Sequence, residues 1–175
     1  MGFTFTATQP DAHKIEVPFF EDARAQTAPF YASNKSIEVA QREVRDYLGK
    51  LKAEMVMFIE GEFTDGTATR YGYEIRFSYQ GAQGLIRVAG LPMRRANPQK
   101  KKKVLVQALL NVREWVKAAI TGSTFSPGMS PLVGFLLVPG NQNQTLQEWI
   151  VEKQDLPNLN PASESRLLDD GELKW

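Results

Sequence analysis

Apolar residues recur three or four positions apart in two stretches of the chain, which is the pattern of helices that bury one face. Ser36 precedes the first stretch as an N-cap, and Gly49 follows it where a left-handed residue would end the helix. Asn97 and Pro98 open the second stretch as an N-cap and a first helical residue, and Gly122 is expected to end it. The pattern predicts helices over about residues 36–49 and 98–121.

The second predicted helix is the longer one, with roughly 24 residues and a length of about 36 Å. Its expected buried stripe consists of Leu105, Ala108, Leu109, Val112, Val116 and Ala119. Its expected solvent-facing stripe consists of Lys103, Gln107, Asn111 and Glu114. We expect this helix to dominate the core.

Alternation of apolar and polar residues predicts three strands between the two helices. The first strand carries Met55, Met57, Ile59 and Phe63 on one face and Glu60 and Glu62 on the other. The second carries Tyr71, Tyr73, Ile75, Phe77 and Tyr79 on one face and Glu74, Arg76 and Ser78 on the other. The third runs through residues 85–89.

The segment 80–83, Gln-Gly-Ala-Gln, is typical of a tight turn and predicts a hairpin of the second and third strands. Folding the chain at the centre of this turn sets Ile75 opposite Val88, so that the apolar faces of the two strands coincide. The same register sets Arg76 opposite Arg87, an unfavourable pair unless an acid lies between them.

The apolar run 132–138 predicts a strand buried on both faces, and Thr145 is expected to cap a short helix over about 146–153. A further strand is expected at 14–17. These elements predict an α+β fold, a two-layer domain of a mainly antiparallel sheet with helices packed on one face, in the order roughly β-α-β-β-β-α-β-α. The predicted divisions are an irregular N-terminal segment (1–33), a single core domain (34–155) and a flexible acidic C-terminal tail (156–175).

The composition of the 175 residues excludes several kinds of site. Cysteine is absent, which excludes disulfides, cysteine-ligated zinc, iron-sulfur centres and a cysteine nucleophile. His13 is the only histidine, so a metal site built from several histidines is excluded too. No apolar run is long enough to span a membrane, and the first residues lack the basic and apolar stretches of a signal peptide. We therefore expect a cytoplasmic protein with no metal, no cofactor and no membrane partner.

Positive charge is concentrated in one segment. Residues 94–120 contain eight basic residues and one acidic residue, although the formal net charge of the whole chain is only +1. Six of these bases lie within ten residues, and four of them, Lys100 to Lys103, open the second helix. Each cation at a helix N-terminus destabilises the helix by roughly 0.3–1 kcal/mol, because its charge opposes the helix dipole. A phosphate backbone would compensate for this cost, because helix N-terminal amides and lysines both hold phosphates.

The sequence therefore predicts a non-catalytic nucleic-acid-binding protein, with single-stranded DNA or RNA slightly preferred. The preference rests on aromatic residues of the second strand, because bases stack on aromatic rings, and on the acidic C-terminal tail. The predicted binding residues are Arg94, Arg95, Lys100, Lys101, Lys102, Lys103, Tyr71 and Tyr79. The plainer interpretation of these features is a solvated charged turn and an aromatic core.

Two resemblances bear on this prediction. A helix, three strands and a helix that opens with lysines resemble the layout of the double-stranded RNA-binding domain, which implies phosphate contacts by Lys100 to Lys103. This resemblance covers about residues 36–121, but the family's loop motif between the first two strands is absent and the second helix is longer. Residues 167–175 resemble the acidic C-terminal tips of single-stranded DNA-binding proteins, which implies that the tail contacts a protein partner.

Two other functions stay open at this point. The first is a structural or oligomerising protein, in which the long helix and the run 132–138 build an interface, by default that of a homodimer. The second is a metal-dependent nuclease, in which Glu60, Glu62 and Glu74 cluster on one sheet face near Asp65 and hold Mg²⁺ or Mn²⁺. Ion pairs of these glutamates with neighbouring arginines are the plainer interpretation.

Overall fold

The computed structural model of the chain describes residues 17–26, 28–64, 68–126, 128 and 130–153. The described elements are α1 (Ile37–Lys50), β1 (Ala53–Thr64), β2 (Thr69–Tyr79), β3 (Ala82–Ala89), α2 (Pro98–Phe125), a 3₁₀ turn (Val133–Phe135) and α3 (Leu146–Lys153). Of the strand predicted at 14–17, only Val17 lies among the described residues, and it belongs to no regular element. The predicted tail 156–175 lies outside them altogether.

The fold is α+β, as the sequence predicts. The three strands form an antiparallel sheet in the order β1-β2-β3, and α1 and α2 pack on one face of it. The two helices run parallel, because Glu43 of α1 pairs with Arg113 of α2, and Tyr47, one turn further along α1, lies under Lys117. Both helix N-termini therefore lie at the same end of the domain.

The main core lies between the sheet and these two helices. Its most deeply buried side chains include Val44 and Leu48 of α1, Leu109 and Val116 of α2, and Ile75 and Phe77 of β2. Each such side chain contributes about 1.5–3 kcal/mol when it is fully removed from water. The predicted buried stripe of α2 is confirmed except at Ala119, which is only half-buried.

A second apolar cluster joins the segment before α1 to the start of α2. Phe20, Ala23 and Ala28 pack there against Leu91, Met93 and Val104. The backbone N–H of Phe20 also donates to the carbonyl of Pro92 at 2.8 Å. The described residues of the segment 17–33 have no regular secondary structure, yet this packing holds Phe20, Ala23 and Ala28 on the domain.

Gln107, predicted on the solvent-facing stripe of α2, is buried. Its Nε2 donates to the carbonyl of Pro29 at 2.8 Å, and its Oε1 accepts the backbone N–H of Leu91 at 3.2 Å. The prediction was wrong because the segment around Pro29 covers this face of α2. Periodicity describes one helix and does not reveal which other segments pack on it.

Both predicted N-caps are confirmed, whereas both predicted glycine stops are wrong. Gly49 lies inside α1, and Lys52, with φ of 68°, is the left-handed residue beyond its end. Gly122 lies inside α2, which continues to Phe125. A glycine within a helix costs only about 1 kcal/mol, so packing along the rest of the helix outweighs it.

The hairpin of β2 and β3 turns one residue earlier than predicted. Gln80 and Gly81 have φ of 50° and 81° and form a two-residue turn in which both central residues are left-handed. Moving the turn centre by one residue moves every cross-strand pair by two, so Ile75 faces Ile86 rather than Val88. The apolar faces stay as predicted, because a shift of two keeps each side chain on its face.

The predicted alternation along β1 is confirmed for residues 57–63, but it is the face with Glu60 and Glu62, not the apolar one, that points to the helices. An irregularity between Glu54 and Met57 inserts a β-bulge, after which Phe58 rather than Met57 faces the helices. Met55 and Met57 are left 84% and 55% exposed. Met57, Ile59 and Phe63 thus lie on the face of the sheet away from α1 and α2.

The run 132–138 is not a buried strand. Leu132 is buried, but the 3₁₀ turn follows it and only isolated bridges occur, from Leu136 to Gly84 and from Leu137 to Thr145. A short continuous apolar run shows neither a helical nor a strand period, which is why the pattern misled. The short helix α3 is confirmed, and Thr145 caps it by accepting the backbone N–H of Glu148 at 3.3 Å.

Candidate nucleic-acid interface

The basic residues that open α2 are oriented in different directions. Asn97 accepts the backbone N–H of Lys100 at 2.7 Å and fixes the start of the helix. Successive residues of a helix are rotated by about 100°, so four consecutive lysines cannot share one face. The structure divides them into an inner pair, Lys100 and Lys101, and an outer pair, Lys102 and Lys103.

The inner pair is bound to carboxylates of the domain itself. Nζ of Lys100 lies 2.8 Å from Oε1 of Glu21, and Nζ of Lys101 lies 2.8 Å from Oε1 of Glu60. Lys101 also lies over the ring of Tyr71, 4.9 Å from its centroid. The hydrogen bond to Glu60 raises the pKa of Lys101. These two lysines hold the start of α2 to its neighbours.

Glu21 gathers several donors just before α2. Its carboxylate accepts the backbone N–H of Arg94 at 3.2 Å and that of Arg95 at 3.4 Å, in addition to the ammonium of Lys100. The hydrogen bond from Lys100 is the main reason that the pKa of Glu21 is lowered to about 2. The guanidinium of Arg94 pairs with Asp22 at 2.9 Å. The segment before α1 thus brings two carboxylates to the predicted binding residues.

Three of the predicted binding residues are not paired in this way. Arg95, Lys102 and Lys103 are exposed and form no ion pair with any residue that the structure describes. Lys102 and Lys103 line a cleft of about 310 Å³ between the N-termini of α1 and α2. We call it the lysine cleft; its polar lining comes from Ser33, Asn34, Lys35, Ser36, Gln99, Lys102 and Lys103.

The lysine cleft has a positive field from several sources. The N-termini of α1 and α2 both lie beside it, and each contributes a partial positive charge. Lys35 adds a third ammonium, although it also pairs with Glu43. Glu38, in the first turn of α1, is the nearby acid, and its pKa is lowered by its own backbone N–H, by Ser36 and by Lys102. A cleft of this kind favours an anion.

The predicted stacking residues lie on the covered side of the sheet. Tyr71 and Tyr79 are on the face that carries Tyr73 and Ile75, and both are half-buried against the core. The hydroxyl of Tyr79 accepts Nε2 of Gln80 at 3.3 Å. Lys101 covers one face of Tyr71. The structure therefore separates both tyrosines from an open sheet surface on which bases would stack.

The carboxylates of the nuclease hypothesis do not come together. Glu60 and Glu62 lie on the helix-facing side of the sheet, whereas Glu74 lies on the other side, 3.1 Å from Arg87 and 3.3 Å from Arg76. Asp65 is outside the described residues. Among the described residues, no group of three or more acids or histidines is placed to hold a metal ion. The prediction that the three glutamates share one sheet face is wrong, because the bulge in β1 turns Glu60 and Glu62 towards the helices.

Sequence reasoning missed Glu21, Asp22 and the residues just before α1 that line the cleft. Glu21 lies 79 positions from Lys100 along the chain, and no pattern links the two. Lys35 carried a weak signal, because a base directly before the N-cap Ser36 must lie at a helix N-terminus. Its place beside Lys102 depends on the parallel packing of the two helices.

Comparison of the chain with protein-family models, with curated proteins and with solved structures finds no match. In the part of the chain that the structure describes, no helix combines the length and the apolar character needed to cross a bilayer.

Proposed function

We propose that this protein binds nucleic acid, without catalysing a reaction, by holding backbone phosphates at the lysine cleft. The observation that carries the proposal is that two helix N-termini and three lysines meet around one cleft. Two of these lysines, Lys102 and Lys103, form no ion pair with a described residue. A nucleic acid is a favourable ligand for these positive charges, because the lysines replace counterions of its phosphates and those counterions are released into solution.

Phosphate binding also explains why the outer lysines lie near a helix N-terminus. Lysines near a helix N-terminus act against the helix dipole, and Lys102 and Lys103 gain no compensating ion pair within the described residues. Arg95, in the loop that leads into α2, is a further exposed base on the same segment. We expect the phosphate contacts to come first from these three residues.

The lysine cleft does not distinguish single-stranded from double-stranded nucleic acid. Because Tyr71 and Tyr79 lie on the covered face, base stacking does not support the proposal, and the preference for single strands loses its main argument. Phosphate contacts alone fit single strands and duplexes alike. We therefore propose nucleic acid as the ligand and treat the strand type as an outcome of the test.

The test is fluorescence anisotropy of labelled single- and double-stranded DNA and RNA oligonucleotides, with the full chain, at about 50 and 200 mM salt. Lys102→Gln combined with Lys103→Gln should weaken binding strongly at low salt. Loss of two phosphate contacts should also lower the slope of log affinity against log salt by about 1.4–1.8.

Lys50→Gln combined with Lys52→Gln is the matched control. These two exposed lysines lie at the opposite end of α1 and the substitutions make the same change in charge. We expect the control to bind nearly as tightly as the unmodified protein. Absence of binding to all four oligonucleotides at low salt, or equal loss in the two double variants, would contradict the proposal.

A second candidate is assembly with another copy of this chain. β1 is an edge strand of 12 residues, and Met55, Met57 and Ile59 are exposed on it. Two identical edge strands can pair antiparallel about a twofold axis, which is the commonest symmetry of soluble oligomers. Light scattering coupled to size-exclusion chromatography would show a dimer that Met57→Lys dissociates; a monomer at high concentration rules this candidate out.

A further inference from the structure

The donors around Glu21 are of the kind that holds a phosphate. The backbone N–H groups of Arg94 and Arg95 point at one carboxylate, and the ammonium of Lys100 completes the set at 2.8 Å. Successive backbone N–H groups with a lysine beside them form a common anion-binding arrangement. Here an anion from the chain itself fills it.

We propose that these donors form a second phosphate site, which Glu21 fills in the free protein and a phosphate of bound nucleic acid takes over. The inference rests on the proposed function and extends it from the lysine cleft along the same basic segment. It assigns Glu21 as an internal competitor of the ligand. Asp22 acts in the same sense, because it holds the guanidinium of Arg94.

The exchange needs only side chains to move. Phe20 and Ala23, on either side of the two acids, are buried and keep the backbone in place. The side chain of Glu21 is itself 23% exposed and can turn towards water. An exposed ion pair is weak, so a phosphate with more charge and more acceptor oxygens can displace it. The two backbone N–H groups and the ammonium of Lys100 thus have an anionic acceptor both before and after the exchange.

Glu21→Gln in the full chain tests this inference. Removal of the competing charge should tighten binding of a labelled oligonucleotide at about 50 mM salt by about three- to fivefold, which is the strength of an exposed ion pair. Glu148→Gln is the matched control, because Glu148 also pairs with a base at 2.8 Å and also accepts a backbone N–H. We expect the control to change the affinity by less than about 1.5-fold.

A second readout avoids any effect of the substitution on folding. In the unmodified protein, the backbone amide signals of Arg94 and Arg95 should shift in ¹H–¹⁵N correlation spectra when the oligonucleotide is added. Unmoved amide signals, no gain for Glu21→Gln, or an equal gain for Glu148→Gln would each overturn the inference.

The two proposals fail in different ways. If the unmodified protein binds and the outer-lysine variant does not, while Glu21→Gln gains nothing, the lysine cleft stands and the second site falls. If neither the unmodified protein nor Glu21→Gln binds any oligonucleotide, both proposals fall together.

Discussion

The ammonium of Lys101 lies 2.8 Å from a carboxylate oxygen of Glu60, so a base at the start of α2 is tied to the edge strand of the sheet. The same ammonium lies over the ring of Tyr71. A lysine with two partners inside the domain serves the packing of α2 on the sheet. Its neighbour Lys102, one position along, faces the lysine cleft.

This difference predicts opposite roles for the two neighbours. Lys101→Gln should lower the free energy of unfolding by about 0.5–1 kcal/mol, since the pair is exposed and screened but is reinforced by the ring. Lys102→Gln should instead raise the free energy of unfolding by up to about 0.3–1 kcal/mol, because it removes an unpaired cation near the helix N-terminus, while it weakens nucleic-acid binding more. Urea denaturation and anisotropy on the same samples check both effects; equal losses of stability would contradict the assignment.

Substitution of the buried Gln107 should lower the free energy of unfolding more than substitution of Lys101. Gln107→Met keeps the length of the side chain but leaves the backbone N–H of Leu91 and the carbonyl of Pro29 without their partner. Two unsatisfied groups should cost about 2–3 kcal/mol. The midpoint of urea denaturation measures the loss. Asn111→Ala, one turn further along α2, is the control and should stay within about 0.5 kcal/mol of the unmodified protein.

The lowered pKa of Glu21 predicts a dependence of stability on pH. The pKa is about 2 in the folded protein against a usual value of 4.5, so its contribution is complete above pH 4.5 and is lost as the pH falls towards 2. Glu21→Gln should therefore be less stable than the unmodified protein at pH 7, and the difference should close near pH 2. Urea denaturation at pH 7, 4 and 2.5 checks this trend; a constant difference across the range would disprove it.

Two glycines that face each other across the sheet predict opposite outcomes. A Cβ on Gly72 would lie 1.9 Å from the carbonyl oxygen of Val88, whereas a Cβ on Gly61 would meet nothing within 4 Å. Gly72→Ala should cost about 3 kcal/mol or more, because backbone atoms of β3 would have to move. Gly61→Ala should be neutral within about 0.5 kcal/mol. Thermal denaturation compares the two variants, and similar melting temperatures would refute the account.

The site was predicted in part. The basic segment and its helix N-terminus were read from the sequence, because Asn97, Pro98 and four lysines are neighbours in the chain. The partition of the lysines was not, because Glu21 and Glu60 reach them only in the folded protein. The same holds for Lys35, which joins the cleft through the packing of α1 on α2.

The sequence by itself determined the α+β class, both long helices with their caps, and the three strands, because these depend on spacings and capping residues within a few positions. Only the tertiary structure decided the faces of β1, the register of the hairpin and the burial of Gln107. The bulge and the covering segment act through contacts between distant residues, and the register depends on which neighbouring pair of residues the packed strands place in the left-handed turn. The local sequence pattern carries no information about such contacts. Contacts of the same kind bring Glu21 and Glu60 to the lysines of α2.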